Sequence, residues 1–495
     1  MPQNTHTSNL FPIAGICITL GLLLAGCGGG GGSSTTTATG TPLPVPGPYA
    51  SRAVCAATTP TPGIPKWTIL IYMEAGNNLQ PDSLINVSQI ASVGSNANVN
   101  IVLQWKQIPA SMTNSCPNCD PSFYGVRRYF IHPHDAADVT AIANGNTTVM
   151  AGDRLPDPSA NVPVNTSGFT DTLPDPNGKP NGTEDMGSYH ALADFVKWGT
   201  TNYPASHTAL LIWDHGSGWE NVYRSIKAAT AQPMRAVAAD DEYTDEIETW
   251  ELPQALSATV RPLDMVILDC SLEEMAEVAY EIRNNASVMV GSEESPPAPG
   301  YPYDKWIADL EADGGNDTPC DLGNHIITEF VNDPSYLNSS YSSVLTQSML
   351  DLSKMNGFAQ SLNAFAGVMN EHVQDQSALF ARLRTDPVFP DRIQGGAQHF
   401  ATEYRDYKDL WDYADLIRTE SPDTDMQQAA LNLENTLTGE HGVILEAKEG
   451  PTGEEGAHGL SIYVPAPSSY LTAYNNLSLT LAAPLWPRFL LAQTQ

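Results

Sequence analysis

"MVILDCSLEEMAEVAYEI", residues 265–282, decides how the chain is read. An apolar run of strand length ends on an acid, a thiol and a hydroxyl. Helical spacing begins directly after them. In open parallel sheets, ligands and reactive groups collect beyond the carboxyl ends of the strands. Asp269, Cys270 and Ser271 stand at such an end, and either Cys270 or Ser271, or neither, is the nucleophile.

The same pattern recurs outward from this stretch. "TALLIWDHGSGW" (208–219) is a buried strand ending on Asp214, His215 and a glycine-rich turn. "SVMVGSEESPPAPGYPYD" (287–304) is another, ending in a polar Gly/Pro loop. Upstream, "WTILIYM" (67–73), the turn "EAGNN", the helical "LINVSQIASVG" (84–94) and "NVNIVLQW" (98–105) make a strand–helix–strand unit, and "YGVRRYFI" adds a strand. Such units build parallel sheets. The spacing therefore predicts an α/β fold, with a mostly parallel sheet flanked by helices over residues 66–309. Residues 310–495 are more helical ("DLWDYADLIR", "MQQAALNLENTL") and end in a strand, "GLSIYVPAP". They are expected to pack on the first part and complete its sheet. Residues 135–184, rich in Pro, Asn, Gly and Asp, read as an exposed insertion.

Composition bounds the partners. There are 56 acids against 23 bases, a net charge of -33. Nucleic-acid binding needs cationic surface to displace counterions, so that class is excluded. The balance suits an exported protein that meets basic peptides. Residues 10–26 form an apolar run shorter than the ~20 residues needed to span a bilayer. "LLAGC" resembles the lipobox of bacterial lipoproteins, which makes residues 1–27 a lipoprotein signal segment in which cleavage before Cys27 leaves that cysteine as the acylated mature N-terminus; the n-region departs from the pattern in having no Lys or Arg. Residues 28–65 are a Gly/Ser/Thr/Pro tether reaching ~30–35 Å as a coil. Placement in the bacterial cell envelope follows, at the outer membrane, on its periplasmic or surface face. Export implies oxidised cysteines. Cys55, Cys116, Cys119 and Cys320 can form two bridges in three pairings if Cys270 stays free. "SCPNC" lacks the further ligands a zinc site needs.

The strand ends carry the chemistry. A thiol beside a histidine makes an activated nucleophile and its base. The Gly216 amide is placed to stabilise an oxyanion. Asp269 can line a pocket for a cationic side chain. Each residue also has a plain reading: a structural His215, an inert buried Cys270, an Asp269 that caps the next helix, and Glu293 and Glu294 as loop charges.

With these residues in place, the chain resembles the clostripain family of cysteine peptidases. The resemblance runs from "WTILIYMEAGNNL" through "MGSYHALADFVKWGTTNYPASHTALLIWDHGSGW", "AADDEYTDEIETWELPQAL" and "DMVILDCSLEEMAEVAYEI" to "HGLSIYVP". It implies a caspase-like fold and cleavage after basic residues. It also implies that His215 is the catalytic histidine, that Gly216 is the oxyanion-hole glycine, and that Asp269 is the acid of the basic-specific pocket. Calcium is a cofactor that members can need. Asp240, Asp241 and Asp245 are candidate ligands, beside the plain reading of a solvated acidic loop.

One departure bears on the chemistry. The family pattern Asp-Ala-Cys-Leu-Met reads here Asp269-Cys270-Ser271-Leu272-Glu273. Ser271 takes the nucleophile position, and Cys270 sits one place early. Successive side chains of a strand point to opposite faces, so one place turns Cys270 away from His215 unless the strand end bulges. Three readings follow: a peptidase using Cys270, one using Ser271, or an inactive surface lipoprotein that binds basic peptides. Arg154 and Lys179 in the insertion would be self-cleavage sites of an active enzyme.

Overall fold

The computed structural model describes residues 53–56, 61–108, 119, 123, 125–155, 184–220, 237–387, 395–401 and 404–493. The leader, Cys27 and most of the tether lie outside the described residues, as does 156–183 of the insertion. In chain order the strands are β1 (Trp67–Met73), β2 (Val99–Gln107), β3 (Gly125–Phe130), β4 (His207–Trp213), β5 (Val237–Asp240) and β6 (Asp245–Ile247). They continue as β7 (Leu263–Asp269), β8 (Ala286–Gly291), β9 (Thr346–Asp351), β10 (Tyr407–Asp409), β11 (Ile444–Glu449) and β12 (Ser461–Tyr463).

Eight of them form one sheet, in the order β11-β9-β8-β7-β4-β1-β2-β3. The inner strands β2, β1, β4, β7 and β8 run parallel. The outer strands pair antiparallel: β3 at one edge, β11 at the other, and β9 between β11 and β8. The continuous apolar runs mark strands covered on both faces. All seven residues of β1 and of β4 are buried. On one face Leu70, Tyr72, Leu210, Ile212, Val266 and Leu268 join a core built with the helices Tyr189–Asn202, Ala276–Ile282, Met355–His372 and Leu410–Glu420. On the other, Ile69, Ile71, Leu211, Met265 and Ile267 meet the helices Gln80–Val93, Tyr303–Ala312 and Pro319–Val331. Each such side chain contributes roughly 1.5–3 kcal/mol on burial.

Residues 310–495 contribute β9 and β11 to the sheet and add helices to both faces, Met355–His372 and Leu410–Glu420 on the first and Pro319–Val331 on the second. They also supply β12, which pairs with β10 away from the main sheet. The start of the presumed insertion is folded: Ala136–Ala143 is a helix capped by Asp135, and Ile142 and Met150 are buried. No helix among the described residues is long and apolar enough to cross a membrane.

Cys55 is bonded to Cys320, which ties the segment before β1 to the helix Pro319–Val331. Cys119 is also disulfide-bonded, and among the described residues Cys270 is a free, buried thiol. The Cys55–Cys320 bridge spans 265 residues. A loop of that size restricts the unfolded chain by about 5 kcal/mol in the chain-entropy account. Replacing both cysteines with serine is expected to lower the melting temperature by several degrees while leaving circular dichroism unchanged. An unaltered melting temperature would show that the bridge does not support the fold.

Candidate active site

The site follows from strand register. Met73 pairs with Trp213, and Trp213 with Asp269, so β1, β4 and β7 end at one level. Paired residues in a parallel sheet point to the same face, and neighbours along a strand alternate. Trp213 and Asp269 therefore share a face, and the next residues of that parity are His215 and Ser271. These four, with Leu79, Pro297 and Gly300, line one cleft.

Cys270 has the other parity. It is fully buried in the opposite core with Leu268 and Leu272, and its thiol lies 3.5 Å from the Ile212 carbonyl. Burial pushes this thiol well up, and the Glu273, Asp214 and Asp269 carboxylates push it further. Both effects oppose thiolate formation. No bulge returns Cys270 to the cleft. The structure thus brings His215, Gly216, Asp269 and Ser271 together and leaves Cys270 outside the cleft.

Leu272, directly after Ser271, has a φ of 66°. A branched residue in the left-handed region carries strain of roughly 1–2 kcal/mol. The turn it makes with Ser271 follows the end of β7 at Asp269 and leads the chain to the helix Ala276–Ile282.

Asp269 forms the floor. Its Oδ2 accepts from the Tyr301 amide at 3.1 Å and the Tyr303 hydroxyl at 2.7 Å. Burial raises its pKa to about 6, although both bonds favour the carboxylate. Gly300 makes the approach possible: a Cβ there would sit 2.6 Å from Asp269 Oδ2, and its φ of 67° suits glycine. The Trp213 wall is fixed by its indole donating to Asn86 Oδ1 at 2.9 Å, while Asn86 donates to the Pro299 carbonyl at 2.6 Å. Asp269 is thus a pocket acid rather than a helix cap.

His215 is half-buried, with Nε2 2.9 Å from Asn78 Oδ1. Gly216 packs on the opposite strand end, where a Cβ would meet Ser271 O at 2.3 Å and Ser271 N at 2.8 Å. Only glycine lets the His215 turn lie this close to Ser271. Beyond it, the amides of Ser217 and Gly218 donate to Glu273 Oε1 at 3.1 and 3.0 Å. Glu273 is wholly buried, and burial raises its pKa well above the usual carboxylate range. Sequence reasoning missed Asn78 and Glu273 as parts of the site. The only signal for Glu273 was an acid standing where the family pattern has an apolar residue.

Glu293 and Glu294 are not loop charges. Both are buried, and they accept the amides of Gly459 at 2.8 Å and Ala401 at 2.7 Å, so they anchor the C-terminal part behind the strand ends. Of the acids proposed for calcium, Asp240 is engaged by a lysine. Lys106 is buried against Asp240 and bonds Glu242 at 3.1 Å and the Glu184 carbonyl at 3.0 Å. Burial alone would lower the lysine's pKa, yet Asp240, Glu74 and Glu242 hold it above its ordinary value. Asp240 also accepts the Met186 amide at 3.0 Å. The ammonium pairs with Asp240 and Glu242, and among the described residues there is no group of three or more His, Cys, Asp or Glu that could hold a metal ion.

The geometry has counterparts in known proteins. The model of the clostripain family, Peptidase_C11, matches residues 164–491. Clostripain from Hathewaya histolytica is 24% identical over 334 residues, covering 59% of this chain and 60% of that protein. The chain thus spans about 60% of that relative's length. Two solved structures share the fold: a secreted C11 cysteine protease from Bacteroides thetaiotaomicron bound to an irreversible peptide inhibitor, and an inactive zymogen C11 protease from Parabacteroides distasonis. The first is 13% identical, with a TM-score of 0.51, over 85% of this chain and 99% of that one. The second is 16% identical, with a TM-score of 0.51, over 86% and 99%. The fold is the caspase-like one.

Two outcomes check this arrangement. Iodoacetamide should leave Cys270 unmodified in the native protein and alkylate it in denaturant, as read by peptide mass spectrometry; rapid native labelling would contradict its burial. Lys106→Met should destabilise the protein by about 3–5 kcal/mol in denaturant unfolding, since it strands buried carboxylates. A change under 1 kcal/mol would show that those acids do not depend on the lysine.

Proposed function

Because the chain belongs to the clostripain family, we propose that it is an exported endopeptidase cleaving after Arg or Lys, with Ser271 as nucleophile. The observation that carries this reading is the shared face of Ser271, His215 and Asp269 in one cleft. A guanidinium or ammonium entering the cleft would meet the Asp269 carboxylate in a largely desolvated setting, where a charge pair is strong. His215 would take the Ser271 proton as the oxygen bonds to the scissile carbonyl carbon. The Gly216 amide would face the oxyanion, and His215 would return the proton to the departing amine. Water then releases the acyl group from Ser271. Acylation of Cys27 and anchoring in the cell envelope complete the proposal, on the lipobox-like "LLAGC".

The buried thiol favours a second reading. Serine is the weaker nucleophile in a site of cysteine-peptidase design, and an intact Asp269 pocket without turnover would make the chain a receptor for basic peptides. Hydrolysis of an Arg reporter peptide separates the two. Activity lost in Ser271→Ala and His215→Ala, and kept in Cys270→Ala, supports the peptidase. An inert parent that still binds Arg-rich peptides supports the receptor.

Two further outcomes follow from the geometry. Combining Cys270→Ala with Ser271→Cys should place a thiol in the cleft and raise kcat/KM by about 10-fold or more; no gain would mean that the residue at 271 is not what limits the site. Agmatine binding, followed by calorimetry, should weaken as pH falls through about 6, because protonated Asp269 carries no charge. Asp269→Asn should weaken it about 100-fold and remove the pH dependence. Affinity that does not change with pH would place the cation elsewhere.

A further inference from the structure

The turn after β1, Glu74–Asn78, reaches the β5–β6 ribbon, Asp214 and His215. Glu74 Oε2 accepts the Gly76 amide at 2.7 Å, and the Gly76 carbonyl accepts from Asp241 at 3.1 Å, which docks the β5–β6 ribbon. Asn77 is wholly buried. Its amide donates to Asp214 Oδ1 at 2.6 Å and the Ala239 carbonyl at 2.9 Å, and its carbonyl accepts the Leu79 amide at 2.8 Å. The backbone on either side of Asn78 is thereby held from several directions. Asn78 itself is exposed, and its Oδ1 stands 2.9 Å from His215 Nε2.

An amide oxygen can only accept, and a neutral imidazole carries one N–H. An acceptor facing Nε2 selects the tautomer protonated there and puts the basic lone pair on Nδ1. We propose that Asn78 is a positioning residue: it holds His215 in the Nε2–H tautomer, so that Nδ1 takes the proton of Ser271. The consequence for turnover rests on the serine-peptidase reading above; the tautomer does not. When Nδ1 takes the proton, both ring nitrogens carry hydrogen, and the Asn78 oxygen then accepts from a cationic donor. That bond is stronger than the neutral one, so it favours the step. The proton passes from Ser271 Oγ to Nδ1 and on to the leaving amine, with no further reactant.

The test uses the full chain labelled with ¹⁵N in histidine, with the His215 signals identified by their loss in His215→Ala. At alkaline pH, where imidazoles are neutral, the parent should show His215 protonated at Nε2. Asn78→Ala should move both ring-nitrogen shifts toward the tautomer average. Asn78→Asp keeps an acceptor and should retain the parent pattern. With an Arg reporter, Asn78→Ala should lower kcat by about 10-fold with little change in KM, and Asn78→Asp should restore most of it. Protonation at Nδ1 in the parent, or unchanged shifts in Asn78→Ala, overturns the proposal. If the parent cleaves nothing, the peptidase reading fails, and the nitrogen shifts still decide the role of Asn78.

Discussion

The site depends on the common level at which β1, β4 and β7 end. Met73, Trp213 and Asp269 lie side by side, so three turns leave the sheet at one edge. Hydrogen-bond register fixes that level, and the two-residue period of a strand fixes which side chains share a face. From these two constraints the cleft residues follow: Trp213 as wall, Asp269 as floor, His215 and Ser271 at the rim. The same constraints send Cys270 into the other core. A one-residue slip of β7 would exchange the faces of Asp269, Cys270 and Ser271 together, and it would put a carboxylate into packed hydrocarbon.

Around this edge the chain buries many acids. Glu273, Glu293 and Glu294 each accept backbone amides from loops brought in from distant sequence. Glu74 and Asp240 lean on Lys106. Burial drives the pKa values of Glu74, Asp240, Glu273 and Glu293 up. A carboxyl group accepting amides satisfies loop backbone that no sheet or helix can pair. The loops behind the strand ends are held in this way, and so is the close approach of Gly216 to Ser271.

Much of this was legible in the sequence. The apolar runs at 67–73, 207–213 and 263–269 announced buried strands, and their polar ends announced the edge where chemistry would sit. The two-residue period, applied to the nucleophile position of the family pattern, pointed Ser271 toward His215 and left Cys270 a way back only through a bulge. Other features were hidden. Glu293 and Glu294 read as loop charges because nothing local shows that Gly459 and Ala401 will cover them. The β5–β6 acids suggested a cation, and the cation turned out to be Lys106, more than a hundred residues away in sequence. The composition of 135–184 suggested an insertion, although its first part packs as a helix against the sheet's flank.

The sequence by itself determined the strands that build the site, at 67–73, 207–213 and 263–269, and the face each of their residues takes, because both follow from local periodicity and burial. It determined that an acid, a thiol and a hydroxyl would stand together at one strand end, and that Ser271 holds the place the family gives to cysteine. Only the tertiary structure decided the order of the strands, the partner of Lys106, the Asn78 contact to His215 and the seating of Asp269 under Tyr301 and Tyr303. Those depend on contacts between residues far apart in the chain, and no local pattern encodes which distant groups will meet.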